Sequence, residues 1–279
     1  MNASDKKVVL ITGASSGMGK ETAIALASEG HVVYGAARRV SRMRVLEQAG
    51  GHAIELDVAD DAQVRKVVGG ILEATGRIDV LVNNAGYAVY GAVEDISLDD
   101  ARQQLEVNLF GAAALTKAVL PGMRAKGRGR IINVTSMGGK IHSPLGAWYH
   151  ASKHALEGWS DCLRVETAHF GIDVVIVEPG VIATEFGAVL EHPMLSRSGA
   201  GAYGAMAKSV ALATRATYEK GGASPASVVA STISKAIAAR RPKTRYVVGK
   251  YARPLLFLRR WLSDRSFDAI IMSQVKRVT

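Results

Sequence analysis

Seven short apolar runs rich in valine and isoleucine recur along this chain, at residues 8–11, 32–36, 53–58, 80–82, 131–134, 174–177 and 246–248. Between them lie segments with apolar residues three and four positions apart, among them 22–27, 64–72, 105–120 and 155–165. Neighbouring parallel strands need a crossover of a dozen or more residues, and a helix usually supplies it. The alternation therefore predicts a parallel sheet with helices on both faces. Apart from 53–58, which holds Glu55 and Asp57, the strand segments are almost continuously apolar, as burial on both faces demands. No linker or internal repeat interrupts the pattern, so residues 1–279 are expected to form one α/β domain. Its core is expected to be a doubly wound, seven-stranded parallel sheet.

Two segments depart from the alternation. Residues from about 184 to 225 are rich in alanine, glycine and serine, with helical stretches and few large side chains. A lid over a substrate has such a composition. Residues from about 250 to 279 mix arginine and lysine with leucine, phenylalanine, tryptophan and isoleucine at helical spacing, which reads as a basic amphipathic tail. The formal net charge of +10 is concentrated near that end: residues 240–279 hold 11 Lys+Arg against 2 Asp+Glu, and the first 239 hold 24 against 23. A body so nearly neutral argues against nucleic acid as a partner. The tail either folds back on the body or a neighbouring subunit, makes a peripheral contact with an anionic membrane surface, or stays disordered. Cys162 is the single cysteine and is expected to be a small buried apolar residue, so no intrachain disulfide forms. A reducing, cytoplasmic setting is the simplest reading, with no leader-like segment at the start and no run of roughly 18 apolar residues to span a membrane.

The first strand segment runs into Thr12-Gly13-Ala14-Ser15-Ser16-Gly17-Met18-Gly19, and a helical pattern follows. Glycines belong where backbone must turn tightly against a pyrophosphate, and a helix N-terminus offers N–H groups and partial positive charge to phosphates. Gly13, Ser15, Ser16, Gly17, Met18 and Gly19 are thus candidates for cradling a dinucleotide. In NAD-binding folds an acidic residue about 20 positions further on bonds the ribose 2′-hydroxyl. Here the second strand ends in Arg38-Arg39, and no acidic residue occurs between His31 and Leu46. A guanidinium binds a 2′-phosphate that a carboxylate would repel, so NADP is expected, with Arg38 the better candidate and Arg39 the second. Asp57 and Val58, expected at the end of the third strand, would meet the adenine ring, unless Asp57 or its neighbour Asp60 caps the following helix.

Tyr149 and Lys153 lie four apart in a helical pattern and share a face. A phenol with a pKa near 10 is a poor base at neutral pH, and a nearby ammonium would lower it. The spacing alone is common. Here it is joined by Ser136 after the fifth strand, Asn83-Asn84-Ala85-Gly86 after the fourth, Asn108 on the next helix, and Pro179-Gly180 after the sixth with Thr184 beyond. Open α/β sheets bind ligands at these carboxyl ends.

In order and spacing these motifs resemble the short-chain dehydrogenase/reductase family over roughly residues 7–185. The resemblance implies a Rossmann fold and a catalytic set of Asn108, Ser136, Tyr149 and Lys153. Tyr149 would be the general acid/base, Lys153 would bind the nicotinamide ribose and depress the tyrosine pKa, Ser136 would polarise the substrate carbonyl, and Asn108 would support a relay water. Asn84, Ala85 and Gly86 would flank the adenine ribose. Pro179, Gly180, Ile182 and Thr184 would hold the nicotinamide end. The implied activity is NADP(H)-dependent hydride transfer between the cofactor and a carbonyl or alcohol, in a homo-dimer or homo-tetramer. A fainter similarity to 17β-hydroxysteroid and retinol dehydrogenases suggests an apolar substrate. An epimerase or lyase on the same fold, or a non-enzymatic nucleotide-sensing module, is the alternative. His142, His150 and His154 cluster near Tyr149, but no acidic or cysteine partner stands in register, so no metal site is expected.

Overall fold

The computed structural model describes residues 6–219 and 221–276, and of Phe186, Gly187, Ala188, Val189, Glu219 and Lys276 the backbone alone. The outermost residues of the expected 1–279 domain and tail, and Lys220 within the 184–225 segment, therefore lie outside the described residues. Seven parallel strands form one sheet: β1 (Val8–Thr12), β2 (Val32–Ala37), β3 (His52–Glu55), β4 (Val80–Asn83), β5 (Gly129–Val134), β6 (Ile172–Pro179) and β9 (Arg245–Val248). Their order is β3-β2-β1-β4-β5-β6-β9, so the direction of winding reverses between β1 and β4. A crevice opens at such a reversal, outside the carboxyl ends of the strands.

Successive strand residues feed opposite faces, which explains the unbroken apolar runs. Val9, Ile11, Val33, Val82, Ile132 and Val177 pack on one side, with Leu26 of α1 (Gly17–Ser28) and Ile233 of α9 (Ser227–Ala238). Val8, Leu10, Leu81, Ile131 and Val174 pack on the other. There they meet Ile71 of α3 (Asp61–Thr75), Leu115 of α5 (Gly111–Ala125) and Leu163 of α6 (Ala147–Thr167). A fully buried side chain of this size contributes about 1.5–3 kcal/mol.

Three boundaries differ from the sequence reading. The apolar period over 105–120 covers two helices: α4 (Leu98–Leu105) passes through a π turn at Glu106–Phe110 into α5. β3 stops at Glu55 instead of 58, because Asp57 turns the chain by accepting from the Ala59 N–H at 3.0 Å. Asp60, not Asp57, caps α3, accepting from Ala62 and Gln63. Cys162 is exposed, a correction to its expected burial. The inward face of α6 runs through Tyr149, Lys153, Leu156, Ser160 and Leu163, and Cys162 falls off that line.

The 184–225 segment carries α7 (Phe186–Ser198) and α8 (Gly204–Glu219). Its two ends are pinned together, because β7 (Ile182–Ala183) pairs with β8 (Ser224–Pro225) in a small parallel sheet. The C-terminal tail forms α10 (Ala252–Trp261) and α11 (Asp264–Lys276). α11 folds back on α8, burying Phe267 and Val275, and Asp268 meets His142 at 2.7 Å. Among the described residues no helix is long and apolar enough to cross a membrane.

Candidate active site

The loop after β1 makes a cradle that tolerates no side chains at its glycines. Gly13 and Gly17 adopt left-handed backbone, φ +68° and +53°. A Cβ on Gly19 would lie 2.4 Å from both the Asn84 Nδ2 and the Gly13 carbonyl. Ser16 stands at the N-cap of α1 without a side-chain cap bond, and the first turn holds no acidic residue. The helix therefore presents its N-terminal amides and partial positive charge to an anion. Beside it lies a cavity of about 460 Å³ bordered by Ser15, Ser16, Gly17, Lys20, Arg42 and Thr184. Met18 is half-buried and packs against the core. The loop after β4 is locked to the same strand: the Thr12 hydroxyl accepts from the Asn84 and Ala85 N–H groups at 3.1 and 3.0 Å. The Asn84 Nδ2 donates to the Thr12 carbonyl at 2.9 Å, while its Oδ1 is buried with no hydrogen-bond partner among the described residues.

Arg38 and Arg39 are exposed directly after β2, with no ion pair among the described residues. Arg38 lies within electrostatic reach of Tyr87, whose phenol is raised by burial and by Asp100 and eased by Arg38. Arg39 opens the 3₁₀ turn Val40–Met43. From that turn Arg42 reaches Glu185 at 3.5 Å, spanning the groove, a contact with no local sequence signal. Asp57 stays at the crevice edge with its Asx turn, while Val58 is buried against Gly111 of α5.

On α6, Tyr149 and Lys153 stand one turn apart and both are buried. The Lys153 ammonium donates to the Val134 carbonyl at 3.0 Å and lies 3.6 Å from where a Cβ on Gly86 would be. Ser136 caps the short turn Met137–Gly139, accepting from the Gly138 N–H at 3.0 Å. Its hydroxyl hydrogen-bonds the Tyr149 phenol and points toward the Pro179 carbonyl, 3.5 Å away. Asn108 sits in the π turn, a feature frequent at functional sites. Its amide donates to the Tyr87 carbonyl and the Ser152 hydroxyl, both at 2.9 Å, and accepts from the Tyr87 N–H at 3.0 Å. The side chain thus braces the loop after β4 against α6.

The protonation states differ from the simple expectation for a tyrosine beside a lysine. Burial pushes the Tyr149 phenol up to about 12, eased by its bond to Ser136. The ammonium is turned onto the Val134 carbonyl, and desolvation of the phenolate prevails. Burial also brings Lys153 down to about 8, opposed by Glu157. His150 is held low by burial; its ring nitrogens meet the Gly138 carbonyl and the Ser143 hydroxyl, each at 2.9 Å, so it clamps the Ser136 turn to α6. His154 bonds the His150 carbonyl. Among the described residues no group of three or more His, Cys, Asp or Glu is placed to hold a metal.

After β6, the Gly180 N–H is bonded to the Val248 carbonyl at 2.8 Å, and a Cβ there would lie 2.1 Å from the Lys250 carbonyl. Gly180 therefore secures the turn against the tail. Ile182 is buried in β7, and the Thr184 side chain comes within 3.1 Å of the Gly17 Cβ position, closing over the cradle. Three further residues join the site. Tyr90 places its ring 6.0 Å from that of Tyr149. Tyr218, from α8, is within electrostatic reach of both phenols. Glu157 continues the Tyr149–Lys153 spacing by one more turn, and that period was the readable sign of it.

A family model described as short chain dehydrogenase matches residues 7–194. A 3-ketodihydrosphingosine reductase from Bacteroides thetaiotaomicron is 42% identical over 184 residues, covering 64% of this chain and 65% of that protein. The crystal structure of a short-chain dehydrogenase from Streptomyces avermitilis is 33% identical, with a TM-score of 0.78 over 98% of this chain and 97% of that one. A variant actinorhodin polyketide ketoreductase solved with NADPH is 32% identical, with a TM-score of 0.76 over 89% of this chain and 97% of that one.

The contact at Gly19 yields a direct expectation. Gly19→Ala must displace either the Asn84 amide or the Gly13 carbonyl. Dinucleotide affinity, measured by titration calorimetry, should fall roughly tenfold or more, equivalent to about 1.4 kcal/mol, with the circular dichroism spectrum retained.

Proposed function

This chain belongs to the short-chain dehydrogenase family, and on that premise we propose that it is an NADP(H)-dependent carbonyl reductase. The observation that carries the reading is the buried, neutral Tyr149 phenol hydrogen-bonded to Ser136, one helical turn from the Lys153 ammonium. A neutral phenol at pH 7 is an acid waiting for an alkoxide, which favours reduction over oxidation.

The residues present fit the cofactor. The cradle at Gly13, Gly17 and Gly19 has no room for side chains, and the orphaned Asn84 Oδ1 offers an acceptor to a ribose. Arg38 stands where a carboxylate would favour NAD. Solved relatives include complexes with NADP or NADPH. Ser15, Ser16, Gly17, Met18 and Thr184 would hold the phosphates and nicotinamide end, with backbone at Pro179 and Ile182. Asn84, Ala85, Gly86, Asp57 and Val58 would line the adenosine side. Tyr149 and Lys153 would hold the nicotinamide ribose. When bound, the dinucleotide supplies the hydride.

The chain's own residues manage the oxygen. Ser136 and Tyr149 donate hydrogen bonds to the substrate carbonyl, and Tyr149 passes its proton to that oxygen as negative charge builds there. Lys153 stabilises the phenolate left behind. The Asn108 side chain is engaged by Tyr87 and Ser152, so its support of a relay water would come through the backbone of the π turn. Residues 184–225 serve as the lid of a single catalytic domain. Met194, Ala207 and Val210 of that segment pack in one apolar cluster with Ala92 and Leu145 of the body, and an apolar substrate, of the kind in the name of the 3-ketodihydrosphingosine reductase from Bacteroides, suits such surroundings. Exposed Phe110 and Val165, before α5 and on α6, suit a homo-dimer or homo-tetramer, and the exposed Cys162 thiol suits the reducing cytoplasm.

Absorbance of NADPH across a panel of ketones and aldehydes tests the reading. Tyr149→Phe should lower turnover by about 10²–10⁴ while weakening NADPH by no more than about tenfold, the worth of its one hydrogen bond to the ribose; retained turnover would remove Tyr149 from the mechanism. Arg38→Asp should weaken NADPH by roughly 10–100-fold, the worth of one charge-assisted contact, and NADH far less. Equal losses for both cofactors would make Arg38 structural.

A further inference from the structure

α10 leaves one face without cover. It starts at the carboxyl edge of the sheet, directly after β9, where Ala252 is buried against the Gly180 turn. The helix packs on β9 and on the Met137–Gly139 turn that follows Ser136. Its outward face carries Phe257 and Trp261, 64% and 68% exposed, with ring centres 6.4 Å apart. Arg253 and Arg260 stand on the same side at helical spacing, and the Arg260 guanidinium lies 5.7 Å from the Trp261 ring. Arg259 is paired with Asp264, whereas Arg253 and Arg260 have no ion pair among the described residues. Residues 240–263 hold eight Lys+Arg and no Asp or Glu; of these, Arg245 is paired with Glu157 and Asp161, and Arg259 with Asp264.

An acidic protein would match the arginines and leave the two rings in water, and a nucleic acid could stack on the rings but would find no basic surface on a body with 24 Lys+Arg against 23 Asp+Glu. An apolar protein face would cover the rings and strand the arginines. An anionic bilayer surface accommodates both: guanidinium groups at the phosphates, and rings at the boundary with the acyl chains. The position of the helix adds a functional consequence. α10 borders the Ser136 turn, and α11 carries on to α8, where Val275 joins the apolar cluster under the lid segment.

We propose that the Arg253–Phe257–Arg260–Trp261 face of α10 docks this protein on anionic lipid surfaces, with the substrate end of the sheet turned to the bilayer. The apolar carbonyl substrate then reaches Tyr149 from the membrane; this second half rests on the reductase reading, and the docking half does not. With two rings and two arginines the attachment is reversible and sensitive to salt.

The test uses the whole chain and sedimentation with vesicles of phosphatidylcholine alone or mixed with phosphatidylglycerol. The protein should pellet with the mixed vesicles, not with the neutral ones, and high salt should release it. Each arginine at an anionic surface is worth about fivefold in partition, so Arg253→Gln with Arg260→Gln should lower binding about 25-fold. Phe257→Ser with Trp261→Ser should lower it comparably, with thermal unfolding and reduction of a water-soluble ketone unchanged. Equal binding to both vesicle types, or variants that bind as before, would overturn the proposal. So would Phe257→Ser with Trp261→Ser splitting an oligomer in sedimentation velocity without altering vesicle binding, since the face would then belong to a second copy. Vesicle binding without turnover on any carbonyl would uphold the docking, overturn the delivery, and count against the reductase reading itself.

Discussion

A lysine ammonium buried at the carboxyl edge of a parallel sheet sets the terms for everything around it. Among the described residues Lys153 has one carbonyl, that of Val134, to meet its charge, and burial has already brought it down to about 8. Leaving such a group charged requires a favourable field nearby. Glu157, one turn further along α6, supplies it, and is itself held by the Thr135 hydroxyl at 2.6 Å and by Lys140 and Arg245, both at 3.1 Å. Arg245 lies on β9 and also binds Asp161 at 2.5 Å. The last strand of the sheet is thereby fastened to the helix that carries Tyr149. Glu178, on β6 in the same cluster, is pushed up to about 7 by burial and by Glu157, and eased by Arg245 and Lys140.

The same edge concentrates backbone strain. Leu145 and Tyr251 are the non-glycine residues with left-handed backbone among those described, at φ +64° and +65°. Such conformations cost on the order of 1–3 kcal/mol each and persist only where neighbours enforce them. Leu145 is four residues before Tyr149, accepts from the Gly91 N–H, and packs in the apolar cluster with Met194 and Ala207. Tyr251 turns the chain from β9 into α10. Both direct elements toward the mouth of the crevice, so the substrate side is assembled from turns that a relaxed chain would avoid.

Much of this was readable in the amino-acid order. The apolar runs located the inner strands because parallel strands buried on both faces have no polar alternation to obscure them, and the edge strand β3, which carries Glu55 and is not buried, followed from the regular spacing. The glycine loop and the Tyr149–Lys153 spacing were readable because each answers a local steric or helical constraint. The π turn at Asn108 was not, since one extra residue in a helix leaves the apolar period almost intact. Neither were Tyr90, Tyr218 and Arg245, which reach the site through packing between distant segments. Cys162 was misjudged because cysteine is usually buried, and only the facing of α6 decides the matter. The raised phenol of Tyr149 escaped for a related reason: spacing places an ammonium nearby but does not reveal which way it turns or how dry the phenol is.

In the proposed reaction a neutral Tyr149 donates the proton while a charged Lys153 steadies the phenolate. The pH dependence of kcat/KM for NADPH-driven carbonyl reduction tests it most directly. The rate should be level through neutral pH and fall with an apparent pKa near 8, as Lys153 loses its proton while Tyr149, near 12, keeps its own. A rate that instead climbs through pH 8 as a group deprotonates would mean that reduction does not need the Lys153 ammonium, and would contradict this assignment of roles.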